Sequence, residues 1–183
     1  MRCRKGLHSL SGLVLNAGTI HIRPYSETDW PCVWDFLRIV IQAGDTYAFS
    51  PDSSEEEIYR AWIELPTATF VATESPDGPV VGTYYIKPNQ PGLGSHVCNC
   101  GYVVAPQARR RGIATLMCEH SQTVAVALGF RAMQFNLVVS TNEGAVRLWQ
   151  KLGFSIVGRL PGAFFHSQFG YVDALVMYKH LAN

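Results

Sequence analysis

Three consecutive arginines, Arg109, Arg110 and Arg111, run into Gly112, Ile113 and Ala114 where a helix pattern begins, and that place favours the opposite charge. Ile113, Leu116, Met117, His120, Val124 and Leu128 recur at helical spacing, and Gly129 stops the run. The helix is expected to begin near Arg110. A first helical turn carries four N–H groups without intrahelical partners and the positive end of the dipole, which favour acidic residues and a Ser, Thr, Asp or Asn cap. Neither is present. A bare, basic, glycine-containing helix start behind an apolar strand suits an anion, most simply a phosphate or pyrophosphate. A solvated basic turn is the plainer alternative.

Two asparagines offer the next chemistry. Asn99 and Asn136 lie in stretches that otherwise read as apolar strands, and a buried amide must find hydrogen-bond partners. Either they satisfy each other or the local backbone, or they face a cleft where they handle a ligand. An amide has no useful proton-transfer pKa, so neither serves as a general acid or base. His96, His166 and Tyr171 are further titratable or hydroxyl side chains near the same region, each more simply read as structural. Trp149 falls on an apolar helical stripe and reads as core. Tyr47 and Phe49 occupy an unusually aromatic connection that either covers a cleft or plugs the core.

The elements that must position these residues follow from periodicity and punctuation. Thr19–Arg23 reads as a first strand; Ser26 with Asp29 opens a helix that Gly44 ends, and Ser54 with Glu57 forms a capping box for a second helix. Thr69–Thr73 and Val80–Ile86 form a hairpin around Ser75–Pro79, and His96–Val104 is a fourth strand leading into the arginine-led helix. Met133–Val139 is a fifth strand, Asn142 caps a helix with Ala145, Leu148, Trp149 and Leu152 on its apolar face, and Phe154–Gly158 and Tyr171–Tyr178 finish the sheet. Pro161–Gly170 reads as a loop. The order mixes hairpins with crossover units, giving an α/β (α+β) domain with a mixed sheet and helices on both faces.

Composition narrows the function classes. The chain has 183 residues, 48% hydrophobic and 16% charged, with net charge +1, which excludes disorder and a generally nucleic-acid-binding surface. No run of about 18 apolar residues exists, so no membrane-spanning helix is expected. Five scattered cysteines read as reduced thiols in a cytoplasmic setting, and no metal-ligand spacing accompanies them. Residues 1–18 are basic and read as an N-terminal extension, a mitochondrial presequence being the alternative, with residues 19–183 as a single domain.

The block Arg109-Arg110-Arg111-Gly112-Ile113-Ala114 resembles the acyl-CoA pyrophosphate loop of the GCN5-related N-acetyltransferases (GNAT), whose pattern is Gln or Arg, two residues, Gly, one residue, Gly or Ala. A second block, Asn142–Phe154, is similar to that family's later helix and the strand start after it. The likeness spans roughly residues 20 to 181. It implies a mostly antiparallel sheet of about seven strands that splays between the fourth and fifth. It also implies acetyl-CoA as co-substrate without a metal. Arg109, Arg110, Arg111, Gly112, Ile113 and Ala114 would hold the diphosphate, the main chain of Tyr102 and Val104 would pair with the pantetheine arm, and Asn142 would reach the cofactor.

A narrower resemblance links Ser95–Val104 and Phe135–Val138 to fungal N-acetyltransferases that detoxify azetidine-2-carboxylate and related proline analogues. It implies that Asn136 holds the substrate carboxylate while Asn99 accepts from the attacking nitrogen. The implied partner is a small-molecule amine, with a second copy of the chain as a homodimer. One departure stands out. Many GNAT relatives place a Glu in the fourth strand as a base and a Tyr on the later helix as an acid, where this sequence has Asn99 and Trp149. A protein amine acceptor, or an acyl-CoA sensor without turnover, therefore stays open beside the small-molecule enzyme.

Overall fold

The computed structural model describes residues 15–17 and 20–181, leaving most of the N-terminal extension outside the described residues. In chain order the strands are β1 (Leu15–Ala17), β2 (Ile20–Pro24), β3 (Ala68–Thr73), β4 (Val80–Pro88), β5 (Val97–Val104), β6 (Ala132–Val139), β7 (Ser155–His166) and β8 (Gly170–His180). The helices are α1 (Trp30–Ala43), α2 (Glu55–Tyr59), α3 (Ile113–Ala127) and α4 (Glu143–Lys151). All eight strands form one sheet in the order β1-β2-β3-β4-β5-β6-β8-β7. The expected seven are present, and β1, within the stretch read as an extension, adds an outer strand antiparallel to β2.

Local chemistry sets the helix boundaries. Ser26 N–H donates to Asp29 Oδ2 at 2.8 Å ahead of α1, and Ser54 and Glu57 exchange bonds of 3.2 and 2.9 Å ahead of α2. A π turn, Arg60–Glu64, follows α2 and buries Trp62 completely. On one face of the sheet Phe70 and Tyr84 stack at 5.0 Å and meet His120 of α3. On the other, Trp62 packs edge-on against Tyr85 and Tyr47. The central strands are thus covered on both sides, which accounts for their nearly unbroken apolar runs.

Two expectations are corrected. Helix α3 starts at Ile113, not near Arg110, because Arg110 (φ 65°) and Gly112 (φ 76°) both adopt left-handed backbone that no helix can include. Pro161–Gly170 is not a loop: β7 runs on to His166 and pairs with β8 through Phe164↔Val172 and Phe165↔Tyr171, past an irregularity between Leu160 and Phe164. Pro161 and Gly162 suggested a turn, but an edge strand tolerates both.

The feature that makes a site is the join of β5 and β6. This parallel pair keeps register only at Val97↔Ala132 and Cys98↔Met133, after which the strands separate. On its other side β6 carries a bulge between Phe135 and Val138, which bends it where the separation opens.

Candidate active site

The separated strands enclose a cleft of about 970 Å³. Its walls are the C-terminal halves of β5 and β6, the start of α3, the apolar face of α4, the α1–α2 connection and the tip of the β7–β8 hairpin.

At the start of α3, a short 3-10 turn, Pro106–Ala108, reverses the chain after β5, and the arginines follow as an exposed loop. Gly112 precedes the helix with no side-chain cap and no acidic residue in the first turn. A Cβ at Gly112 would meet nothing within 4 Å, so the glycine serves the backbone's left-handed turn and leaves open space above the helix end. Arg109, Arg110, Gly112, Ile113 and Ala114 all line the cleft. Arg111 does not. Its guanidinium turns outward to an ion pair with Glu74. Two of the three arginines therefore line the cleft, and the third pairs outside it.

In the middle of the cleft, Tyr102 and Val104 line the β5 wall. The Tyr102 ring points to α3, where its hydroxyl meets Ser121 Oγ at 2.7 Å, while its carbonyl accepts the Tyr47 hydroxyl at 2.9 Å. The aromatic connection therefore does both things expected of it, packing Tyr47 on Trp62 and covering the cleft. Trp149, read as core, is half-buried: it packs on Tyr102 and Phe135 at 5.2 and 5.1 Å and also lines the cleft. Asn142 caps α4 by accepting from Ala145 N–H at 3.2 Å, with its side chain at the cleft edge.

Asn99 and Asn136 both line the cleft but differ in surroundings. Asn99 is 9% exposed, accepts the Tyr85 hydroxyl at 3.2 Å and donates to the Gln134 carbonyl at 2.9 Å. Asn136 is exposed, donates to Asn89 Oδ1 at 2.6 Å and accepts from Gln134 Nε2 at 2.8 Å. The two asparagines do not bond each other; Gln134 links them. Tyr85 lies directly over Gly101, where a Cβ would come within 2.6 Å of its ring. Of the remaining candidates, His166 lines the cleft, whereas Tyr171 is 78% exposed on the hairpin and His96 sits in a separate hollow with Arg131 and His180.

Burial governs the titrating groups. It pushes the phenols of Tyr47, Tyr85 and Tyr102 above the ordinary range, so all three are hydrogen donors at neutral pH. Burial, then the neighbouring Cys98, raises the thiol of Cys100, and burial pushes Cys118 up to about 11. Neither thiol is a ready nucleophile. Among the described residues lining the cleft, Asp45 is the one carboxylate. No group of three or more His, Cys, Asp or Glu among the described residues is placed to hold a metal, and no described helix is long and apolar enough to cross a membrane.

The acetyltransferase (GNAT) family model matches residues 34–154. The chain belongs to this family. The GNAT chain is 32% identical over 163 residues to N-acetyltransferase aca1 of Schizosaccharomyces pombe, an alignment covering 81% of this chain and 78% of that protein. It is 40% identical to a GCN5-related N-acetyltransferase of Kribbella flavida, with a TM-score of 0.84 over 89% of this chain and 98% of the other. A phosphinothricin acetyltransferase of Sinorhizobium meliloti, solved in complex with AcCoA, shares the fold at 20% identity and a TM-score of 0.78, over 90% of this chain and 89% of that one. This N-acetyltransferase is a mixed α/β protein whose splayed strands, arginine loop and later helix surround one cleft.

Sequence reasoning missed Tyr85 and Gln134. Tyr85 reads as one more aromatic on a buried strand, and Gln134 acts partly through its carbonyl, which no side-chain pattern reveals. Gly101 was the available signal, since a glycine inside a strand marks a close approach.

Proposed function

We propose that the enzyme transfers an acetyl group from acetyl-CoA directly to the amine of a small amino acid or amino-acid analogue, a proline analogue such as azetidine-2-carboxylate being a candidate. The observation that carries this reading is the placement of two side-chain amides, Asn99 and Asn136, on the separating strands of a cleft that also contains an uncapped basic helix start. The residues fit acetyl-CoA. The open space over Gly112, the uncapped N–H groups of Ile113, Ala114 and Thr115, and the Arg109 and Arg110 side chains suit a diphosphate. Tyr102 and Val104 stand on the strand edge that β6 leaves, where the Tyr102 carbonyl accepts from Tyr47, and this edge suits an amide-bearing arm added alongside as a further strand.

When bound, acetyl-CoA supplies an activated thioester carbonyl. The chain's own residues then position rather than exchange protons. Asn99 Oδ1 retains a second lone pair beside the one given to Tyr85, and it orients the amine by accepting one of its hydrogens. Asn136 donates to the substrate carboxylate after exchanging its bond to Asn89. A nitrogen–carbon bond forms as the carbon–sulfur bond breaks; the amine proton passes to water and CoA leaves as the thiolate or takes a proton from water. Proximity and polarisation supply the rate enhancement. The raised Cys100 thiol supports direct attack over a cysteine-bound acyl group.

Thiol release from acetyl-CoA across a panel of amines tests this reading. Release with small amino acids, azetidine-2-carboxylate above the primary ones, supports it. Binding of acetyl-CoA without release for every amine would make the protein an acyl-CoA sensor, and preference for a peptide amine would move it to protein acetylation. Asn136→Ala should raise the KM of a small amino acid sharply; an unchanged KM removes Asn136 from the substrate site.

We also infer self-association through β7. This edge strand of 12 residues exposes Ile156, Val157 and Leu160, and its outer edge, the one not paired with β8, can pair with its own copy across a two-fold axis.

A further inference from the structure

The wall where the α1–α2 connection meets the β7–β8 hairpin is sewn shut by Ser167. Its N–H donates to the Gly44 carbonyl at 3.1 Å and its hydroxyl to the Ala43 carbonyl at 2.8 Å. His166 precedes it and is only 7% exposed, with Phe164 and Phe169 rings at 6.3 and 4.7 Å. Its Nδ1 accepts the backbone N–H of Gln168 at 3.0 Å. An imidazole that accepts through Nδ1 carries its proton, in the neutral form, on Nε2. The ring therefore presents a hydrogen donor, and its one hydrogen bond is spent on the other nitrogen.

Nε2 is not sealed in. Among the described residues no buried side-chain nitrogen or oxygen lacks a partner, so an unbonded Nε2 must reach solvent. His166 is 7% exposed and lines the cleft, and the cleft is the hollow to which we assign that exposure. A largely desolvated N–H gains most from an acceptor that arrives with a ligand. An amine hydrogen cannot serve. A carboxylate can, and every α-amino acid brings one.

We propose that His166 Nε2–H is a specificity-determining donor that holds one oxygen of the acceptor substrate's carboxylate, Asn136 Nδ2 donating to the other. This rests on the reading of that substrate as a small amino acid. His166 then acts as an anchor and not as a base, because Nδ1 is occupied by Gln168 N–H and Nε2 already holds the proton. Specificity follows: an amine without a carboxylate leaves the Nε2–H unpaired and binds more weakly.

The test pairs two variants with two probes. His166→Phe keeps an aromatic ring between Phe164 and Phe169 but removes the donor, and His166→Gln restores an N–H. The probes are azetidine-2-carboxylate and azetidine, the same ring without the carboxylate. For azetidine-2-carboxylate, His166→Phe should raise KM by about tenfold or more, leave kcat and the acetyl-CoA KM within about twofold, and be partly rescued by His166→Gln. For azetidine the wild type and His166→Phe should match. Equal effects on both probes, or a fall in kcat at constant KM, overturns the proposal.

A second readout is independent of turnover. In ring-nitrogen NMR spectra of the full chain with CoA, the signals absent from His166→Phe identify His166. They should show the Nε2–H tautomer and shift on titration with azetidine-2-carboxylate but not azetidine. An Nδ1–H tautomer, or no carboxylate-dependent shift, overturns the anchor. If that shift appears while no amino acid is acetylated, the proposed reaction fails and His166 stands as a carboxylate-binding residue but not as an acceptor anchor.

Discussion

Asn99 Nδ2 donates to the Gln134 carbonyl at 2.9 Å, one residue beyond the last backbone pair of β5 and β6, Cys98↔Met133. The side-chain amide supplies the rung that the backbone gives up, and so fixes where the cleft begins. Asn99→Ala removes this rung and strands the half-buried Gln134 carbonyl and the Tyr85 hydroxyl. It should destabilise the protein by about 1–2 kcal/mol in urea unfolding. It should also lower kcat/KM for the amine by about 100-fold, because small displacements of a positioning group are costly. A loss of stability without a loss of activity would make Asn99 purely structural.

Tyr85 sets the orientation of that amide from the opposite side. Tyr85→Phe keeps the ring over Gly101 and loses only the 3.2 Å bond to Asn99 Oδ1, so kcat should fall by about three- to tenfold. Gly101→Ala should do worse, because a Cβ there would come within 2.6 Å of the Tyr85 ring and displace it altogether. Steady-state kinetics of both variants checks the order.

The arginines divide by direction. Arg110→Ala should raise the acetyl-CoA KM by about tenfold, the size of one charge-assisted hydrogen bond, with the effect shrinking at high salt. Arg111→Ala should leave that KM unchanged and cost less than about 1 kcal/mol, because its partner is Glu74 and both side chains are roughly 40% exposed. Equal effects from the two variants would contradict the geometry of the loop.

Away from the cleft, Arg23 holds Asp29 by two bonds of 2.7 Å. Burial works against the Asp29 carboxylate, but the bonds from Arg23, the Ser26 N–H and the arginine's charge outweigh it and lower its pKa. A carboxylate with a lowered folded-state pKa contributes stability that is present above its ordinary value of about 3.9 and is lost as pH falls through the folded value. Asp29→Asn should therefore cost about 2 kcal/mol near neutral pH. The gap to wild type should close below about pH 4, in denaturant unfolding followed across pH.

Charge on the β7 edge tests self-association. Val157 is 60% exposed on this strand, and Val157→Lys should turn a dimer into a monomer in sedimentation without changing the unfolding midpoint. A wild-type protein that sediments as a monomer at micromolar concentration ends the idea.

What could be seen in the sequence was the part written in local signals. Ser54 with Glu57 and Asn142 cap the helices where expected, because a cap is decided within four residues. The arginine loop is visible as a charge in the wrong place, yet the helix starts three residues later than its pattern indicates because the left-handed turn at Arg110 has no sequence marker. Only the glycine two residues later announces it. The length of β7 was hidden by Pro161 and Gly162, which read as a turn when the partner strand is unknown. The outward path of Arg111 depends on Glu74, far away in sequence, and the Tyr85–Asn99–Gln134 chain depends on three strands meeting. Such relations between distant elements are set by packing, which periodicity does not encode.

No residue of α4 is fully buried, and Ala145, Leu148 and Trp149 on its apolar face line the cleft even as Trp149 packs on Tyr102 and Phe135. Helix α3 sinks Met117, Cys118 and Val124 into the core. The two helices therefore stand at different heights on the scale of local opening, and the backbone amides of α4 should exchange with deuterated water before those of α3. A ligand lying against Trp149 and Leu148 should slow that exchange, so the protection of this one helix would report how full the cleft is.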